Sequence, residues 1–151
     1  MAFPSTGFKL LVELFGVQAE CFASPLHVTL GQFCSVSYQT DRYFGSAGSF
    51  WKFDGNSNRW HCNHDTDPEL QQGGGSFEAN PPFVEEVMEQ MVIKMHSLLE
   101  DAEQRNLPLS FVVIVPGWDD DSCASYRMMT RSSFARPQTG YYLILDKHKH
   151  T

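Results

Sequence analysis

Two apolar patterns of different period meet at a pair of prolines, and together they limit this chain to few folds. Ser76-Phe77-Glu78-Ala79 reads as a short strand running into Asn80-Pro81-Pro82-Phe83. Beyond the prolines, Val84, Val87, Met88, Met91, Val92, Met95, Leu98, Leu99 and Ala102 recur at helical spacing, with Glu85, Glu86, Glu89 and Lys94 off the stripe. Proline has no amide hydrogen for a strand ladder or a helix interior, so the pair stops the strand and prevents an earlier helix start. Leu109 to Val115 (LSFVVIV) is then an unbroken β-branched and aromatic run, as expected of a central parallel strand, and Pro116-Gly117 closes it.

The flanking segments extend the same alternation. Ser5-Thr6 followed by Phe8, Leu11, Val12, Leu14 and Phe15 predicts a capped amphipathic helix, with Gly16 placed for a left-handed C-terminus. Val17 to Phe22 reads as a short buried strand ending at Ala23-Ser24-Pro25. Leu26 to Val36 is expected to be helical, with Leu26, Leu30 and Phe33 on one side. A shorter helix around Tyr126–Phe134 and a last strand at Tyr141–Leu145 complete the pattern. The fold class predicted is α/β: a three-layer αβα domain built on a parallel sheet. Between about residues 47 and 75, dense Gly, Asn, Ser and Asp predict a long irregular insertion, interrupted by aromatic residues.

Charge and length exclude several classes. With 11 Lys and Arg against 18 Asp and Glu, the net charge of −7 disfavours nucleic-acid binding driven by overall positive charge. No apolar run approaches the roughly 20 residues that cross a bilayer, and the start lacks the regions of a signal peptide, so no membrane partner and an intracellular location are expected. The 151 residues suit one domain, and the four scattered cysteines, without a CxxC pair, read as reduced and mostly buried.

In parallel α/β sheets, ligands sit outside the carboxyl ends of the strands. Glu20–Leu26 and Asn80–Phe83 both fall there. Asn-Pro-Pro-Phe has a specific chemical use: an amide oxygen and a proline-fixed carbonyl both accept from one amino group, while an aromatic ring stacks on a flat base. That set grips an exocyclic amine such as adenine N6. Methylating such a neutral amine with a cationic donor needs orientation and charge stabilisation more than a strong base.

The strings Phe15-Gly16-Val17, Glu20-Cys21-Phe22-Ala23-Ser24-Pro25-Leu26, Thr40-Asp41, Tyr43-Phe44-Gly45-Ser46 and Ser76-Phe77-Glu78-Ala79-Asn80-Pro81-Pro82-Phe83 closely resemble the phosphorylated-CTD-interacting factor family. Its members are cap-specific adenosine N6-methyltransferases, and the likeness covers most of residues 8–145. The resemblance implies a Rossmann-like core that uses S-adenosyl-L-methionine to methylate N6 of the 2′-O-methyladenosine beside an mRNA cap, in the nucleus. By position, it implies that Asn80, Pro81, Pro82 and Phe83 are catalytic and orient the adenine. Glu20, Phe22, Ala23, Ser24 and Pro25 would face the donor, as would Asp41, Phe44 and Gly45. Trp118, after the strand Leu109–Val115, is placed for the substrate pocket.

The chain departs from the family pattern where SPL-Asn is replaced by His27, and its irregular insertion is longer. The family also carries a WW domain and a large helical region, expected to bind the phosphorylated RNA polymerase II C-terminal domain, the cap and RNA. Residues 1–151 are read as the methyltransferase core only, without a WW domain and short for a complete core. Two alternatives stay open: a catalytically inactive, shortened interaction domain, and an enzyme acting on DNA or another RNA.

Other residues carry weaker signals. His61-Cys62-Asn63-His64 is too crowded for a zinc site and reads as solvent-facing loop, so no metal is expected. Trp51 and Trp60 either stack on a base or anchor the insertion to the core. Asp119-Asp120-Asp121 reads as solvated loop, and Arg127, Arg131 and Arg136 either touch phosphate or balance an acidic surface.

Overall fold

A computed structural model describes residues 5–55, 74–115 and 123–136. The order is helix α1 (Ser5–Phe15), strand β1 (Val17–Glu20), the short helix α2 (Tyr38–Asp41), 3₁₀ turns at Arg42–Phe44 and Phe50–Lys52, strand β2 (Gly75–Ala79), helix α3 (Glu85–Gln104), strand β3 (Leu109–Val113) and helix α4 (Ala124–Thr130). The last predicted strand, Tyr141–Leu145, lies outside the described residues, as do Trp60, Trp118, His61–His64 and Asp119–Asp121.

Among the described residues, all strand pairing is parallel. β1 pairs with β2 through Val17–Ser76, Ala19–Phe77 and Glu20–Glu78, with one extra residue bulged out at Gln18. β2 pairs with β3 from Gly75–Leu109 to Ala79–Val113. Side chains alternate across these strands, so their identities assign the faces. Ala19, Phe77, Ala79, Phe111 and Val113 join Met91, Val92, Met95 and Leu98 of α3 in the larger core, with Phe50 and Phe53. Val17, Val112 and Ile114 join Phe8 and Leu11 of α1 on the opposite face. Helices therefore cover both sides of the sheet, as the α/β alternation requires.

Several expectations are corrected. Leu26–Val36 is not a helix. Its backbone runs extended at Phe33, which bridges β1 at Glu20 in parallel and is fully buried. Glu20 N–H donates to the Gln32 carbonyl at 3.0 Å, and Cys34 N–H donates to the Glu20 carbonyl at 2.7 Å. Ser46 bridges Phe33 in turn. Leu26 and Val36, expected on a buried stripe or its end, are 89% and 98% exposed. Burying one large aromatic against the sheet outweighs the modest helix propensity of the segment. Among the described residues the LSFVVIV run pairs only with β2 and is half-buried. In α1 only Phe8 and Leu11 of the apolar residues named are buried, while Val12, Leu14 and Phe15 face outward.

With the two bridges included, the spatial order is Ser46, Phe33, β1, β2, β3. In chain order these extended segments are third, second, first, fourth and fifth. The chain thus winds one way from β1 and the other way from β2, and the direction reverses between these two central strands. Open parallel sheets part their connecting segments at such a reversal and leave a crevice at the carboxyl edge.

Candidate functional site: the crevice between β1 and β2

Both segments expected to carry chemistry leave the sheet at this crevice. Ala79 ends β2 with its carbonyl accepting the Ile114 N–H at 2.9 Å, and Asn80-Pro81-Pro82-Phe83 follows. The Pro82 carbonyl accepts the Val84 N–H at 2.8 Å, which tightens the turn into α3. Pro81 is buried, Asn80 is half-buried, and the Phe83 ring is 39% exposed. On the β1 side, Cys21 N–H donates to the Glu78 carbonyl at 2.7 Å and Ala23 N–H to the Cys34 carbonyl at 3.0 Å. The Ser24 carbonyl then accepts both the His27 and Val28 N–H groups at 2.9 Å, and Ser24 Oγ lies 3.0 Å from His27 Nδ1.

Between these arms lies an open cleft of about 410 Å³. Of the residues expected from sequence, Phe22, Ala23, Ser24, Asn80, Pro81, Pro82 and Phe83 line it. Glu20, Pro25, Asp41, Phe44 and Gly45 do not. Glu20 is instead buried behind the cleft, where its Oε1 accepts the backbone N–H groups of Thr29 and Leu30, each at 2.7 Å. Asp41 ends α2 and accepts from Thr40 Oγ1 at 2.9 Å, and Phe44 is 64% exposed in the following 3₁₀ turn. Gly45 closes that turn at φ 102°, against the Gly31 carbonyl, where a side chain has no room.

Sequence reasoning missed the third wall. Cys34, Ser35, Val36, Ser49 and Phe50 line the cleft because the bridges at Phe33 and Ser46 bring their carboxyl ends to the same edge. Reading Leu26–Val36 as a helix hid this arrangement. Ser35 Oγ lies 2.7 Å from Ser46 Oγ, which also accepts the Gly48 N–H at 3.1 Å, and this fixes the wall. Trp51 lines the cleft as well.

No Lys, Arg, Asp or Glu stands among the described lining residues. Two carboxyl groups lie just behind, side by side on β1 and β2. Phe77 and Ala79 point to the α3 side, so Glu78 and its register partner Glu20 point to the α1 side. Burial holds the Glu78 carboxyl up at about 8, and the nearby Glu20 charge adds to the effect. Burial also raises Glu20, opposed by the N–H groups of Leu30 and Thr29. Cys21, fully buried beside them, has its thiol pushed far above the ordinary range by burial, which makes it inert as a nucleophile.

Comparison with known proteins places this chain in a family. The model of the phosphorylated CTD interacting factor 1 WW domain matches residues 1–151. That description gives no support to the expectation of a methyltransferase core alone. The mRNA (2′-O-methyladenosine-N(6)-)-methyltransferase of Homo sapiens is 41% identical over 143 residues, and that of Mus musculus is 40% identical. Each alignment covers 95% of this chain and 17% of the relative, so the chain spans about a sixth of the length of these proteins. By the family match along its whole length, the chain belongs to the phosphorylated CTD interacting factor 1 family.

Proposed function

We propose that the chain forms a Rossmann-like core for S-adenosyl-L-methionine-dependent N6-methylation of adenosine in RNA, the acceptor being the 2′-O-methyladenosine beside the cap. One observation supports this reading above others: the sheet reverses direction between β1 and β2, and Asn80-Pro81-Pro82-Phe83 and the Phe22–Ser24 loop line one cleft there. Its volume of about 410 Å³ lies within the roughly 300–1,000 Å³ of small-molecule sites.

The residues fit the chemistry. The Pro82 carbonyl is engaged by Val84, so the acceptors for an adenine amino group are Asn80 Oδ1 and the Pro81 carbonyl. Two such acceptors orient the amine and stabilise the positive charge that grows on its nitrogen. Phe83 offers an exposed ring face for the base. S-adenosyl-L-methionine supplies a methyl group already activated on a sulfonium. With the Glu20 carboxylate turned to Thr29 and Leu30, the hydroxyls of Ser24, Ser35 and Ser49 and the wall backbone are left to meet the polar groups of the donor. Phosphate recognition falls to residues outside this cleft, whose described lining holds no Lys or Arg, in keeping with the net charge of −7.

The test is labelled-methyl transfer to capped RNA with and without 2′-O-methylation. Asn80→Ala is expected to abolish transfer while S-adenosylhomocysteine still binds; unchanged methylation in that variant removes the assignment. A second reading is an inactive interaction domain that contributes to recognition of the phosphorylated RNA polymerase II C-terminal domain. The WW-domain description of the matched model and the 17% coverage of the relatives favour it. Binding of a phosphorylated C-terminal-domain peptide without any methyl transfer would select it.

A further inference from the structure

Trp51 belongs to no motif that marks the site, yet it lines the cleft together with the Asn-Pro-Pro-Phe arm. It lies in the 3₁₀ turn Phe50–Lys52, opened by Ser49, whose Oγ accepts the Trp51 N–H at 3.4 Å. Phe22 meets its indole at 6.0 Å between ring centres and 70° between planes, and Phe50 does so at 5.5 Å and 66°. Both are edge-type contacts, which fix a ring without stacking on it. No described aromatic ring lies parallel to the indole.

Exposure separates this ring from those that only anchor the turn. Phe50 and Phe53, its neighbours in sequence, are 2% and 1% exposed, whereas Trp51 is 45% exposed on the cleft. Phe83, on the Asn-Pro-Pro-Phe arm, is similarly open. Of the four aromatic residues that line the cleft, Trp51 and Phe83 are exposed while Phe22 is half-buried and Phe50 buried, and the described lining holds no Lys, Arg, Asp or Glu. Such a wall suits a flat, uncharged heterocycle held by stacking.

Methyl transfer from S-adenosyl-L-methionine to adenosine brings two adenine rings together, one in the donor and one in the acceptor. Phe83 adjoins Asn80, which serves the acceptor. Trp51 packs on Phe22, in the loop of the other arm. We propose that Trp51 is the stacking wall for the adenine ring of the donor, and that it sets donor affinity rather than acceptor affinity. This inference rests on the function proposed above.

Isothermal titration of the full chain with S-adenosylhomocysteine, and separately with 2′-O-methyladenosine, tests it. Trp51→Ala is expected to weaken S-adenosylhomocysteine by roughly 5- to 150-fold, as the loss of one base–aromatic stack does. Trp51→Phe should restore most of that loss, since it keeps a ring but not the indole. Affinity for 2′-O-methyladenosine should stay within about threefold in both, with Phe83→Ala showing the reverse selectivity. Wild-type binding of S-adenosylhomocysteine that Trp51→Ala leaves intact overturns this inference and leaves the proposed function standing. Selective loss of the nucleoside in Trp51→Ala overturns it too. Failure of the wild-type chain to bind S-adenosylhomocysteine overturns the donor reading itself.

Discussion

Replacing Glu78 with Gln should stabilise this protein, and more so as pH rises. Glu78 is 1% exposed, its Oε1 has no hydrogen-bond partner among the described residues, and it sits beside Glu20 on the neighbouring strand. Burial, then the Glu20 charge, lift its pKa from 4.5 to about 8. In the unfolded chain the carboxyl loses its proton near 4.5, while the folded protein retains it until about 8. Between those values the native state binds more protons, so stability falls as pH rises through the window and levels off above it. Each pH unit crossed is worth about 1.4 kcal/mol, which gives a penalty of about 3 kcal/mol at pH 7 and about 5 above pH 8. Glutamine keeps the shape and carries no charge, so the variant should match wild type near pH 4 and exceed it at pH 7. Urea unfolding at half-unit steps from pH 4.5 to 8.5 reads the difference directly. A wild-type stability independent of pH across this range, or an equal slope in Glu78→Gln, would refute the reasoning. Some slope should remain in the variant, because the Glu20 carboxyl is raised as well.

Three other perturbations probe the frame of the cleft. Phe77 is fully buried in β2 with Phe53 at 4.9 Å and Phe111 at 5.9 Å, so Phe77→Ala should cost about 3–5 kcal/mol in urea unfolding; a loss below about 1 kcal/mol would mean that the core is looser than described. Gly45→Ala places a methyl against the Gly31 carbonyl at a φ of 102°, and its thermal midpoint should drop by an amount matching at least roughly 1 kcal/mol. Glu85, in the first turn of α3, accepts from Ser125 N–H at 2.9 Å, Ser125 Oγ at 3.1 Å and Cys123 Sγ at 3.3 Å, which ties α4 to the helix that follows Phe83. Led by the Ser125 N–H, these bonds hold its carboxyl below the usual 4.5, so the tie is present above that value and lost as pH falls through the lowered one. The protection factor of the Ser125 amide, its exchange rate corrected for the intrinsic fall with acidity, should drop on acidification and in Glu85→Ala at neutral pH; unchanged protection would remove the tie.

Much of this fold was legible because local patterns agreed with the tertiary outcome. The double proline and the methionine-rich stripe mark β2 and α3 within a residue or two, and Gly16 ends α1 at φ 63°. The seven cleft residues expected from the two loops follow from their place at strand ends. The segment 26–36 was not legible, because single-residue bridges at Phe33 and Ser46 are tertiary contacts with no local period. Glu20 illustrates a different limit. A carboxylate beside a ligand loop resembles a ligand-binding group in sequence, yet two backbone N–H groups claim it from nine and ten residues on. Nothing in residues 18–22 announces that.

The reversal of winding between β1 and β2 also has a kinetic side. The two strands that flank the cleft pair across the chain from position 20 to position 78, whereas β2 and β3 are joined by a single helix. Closing the longer loop loses more chain entropy before any contact compensates for it, so the β2–α3–β3 unit is positioned to form first. The cleft exists only once β1 docks against that unit. During refolding, recovery of ligand binding should therefore trail the helical signal of α3, and a ligand held between the arms acts as a clasp on the most distant strand pairing among the described residues.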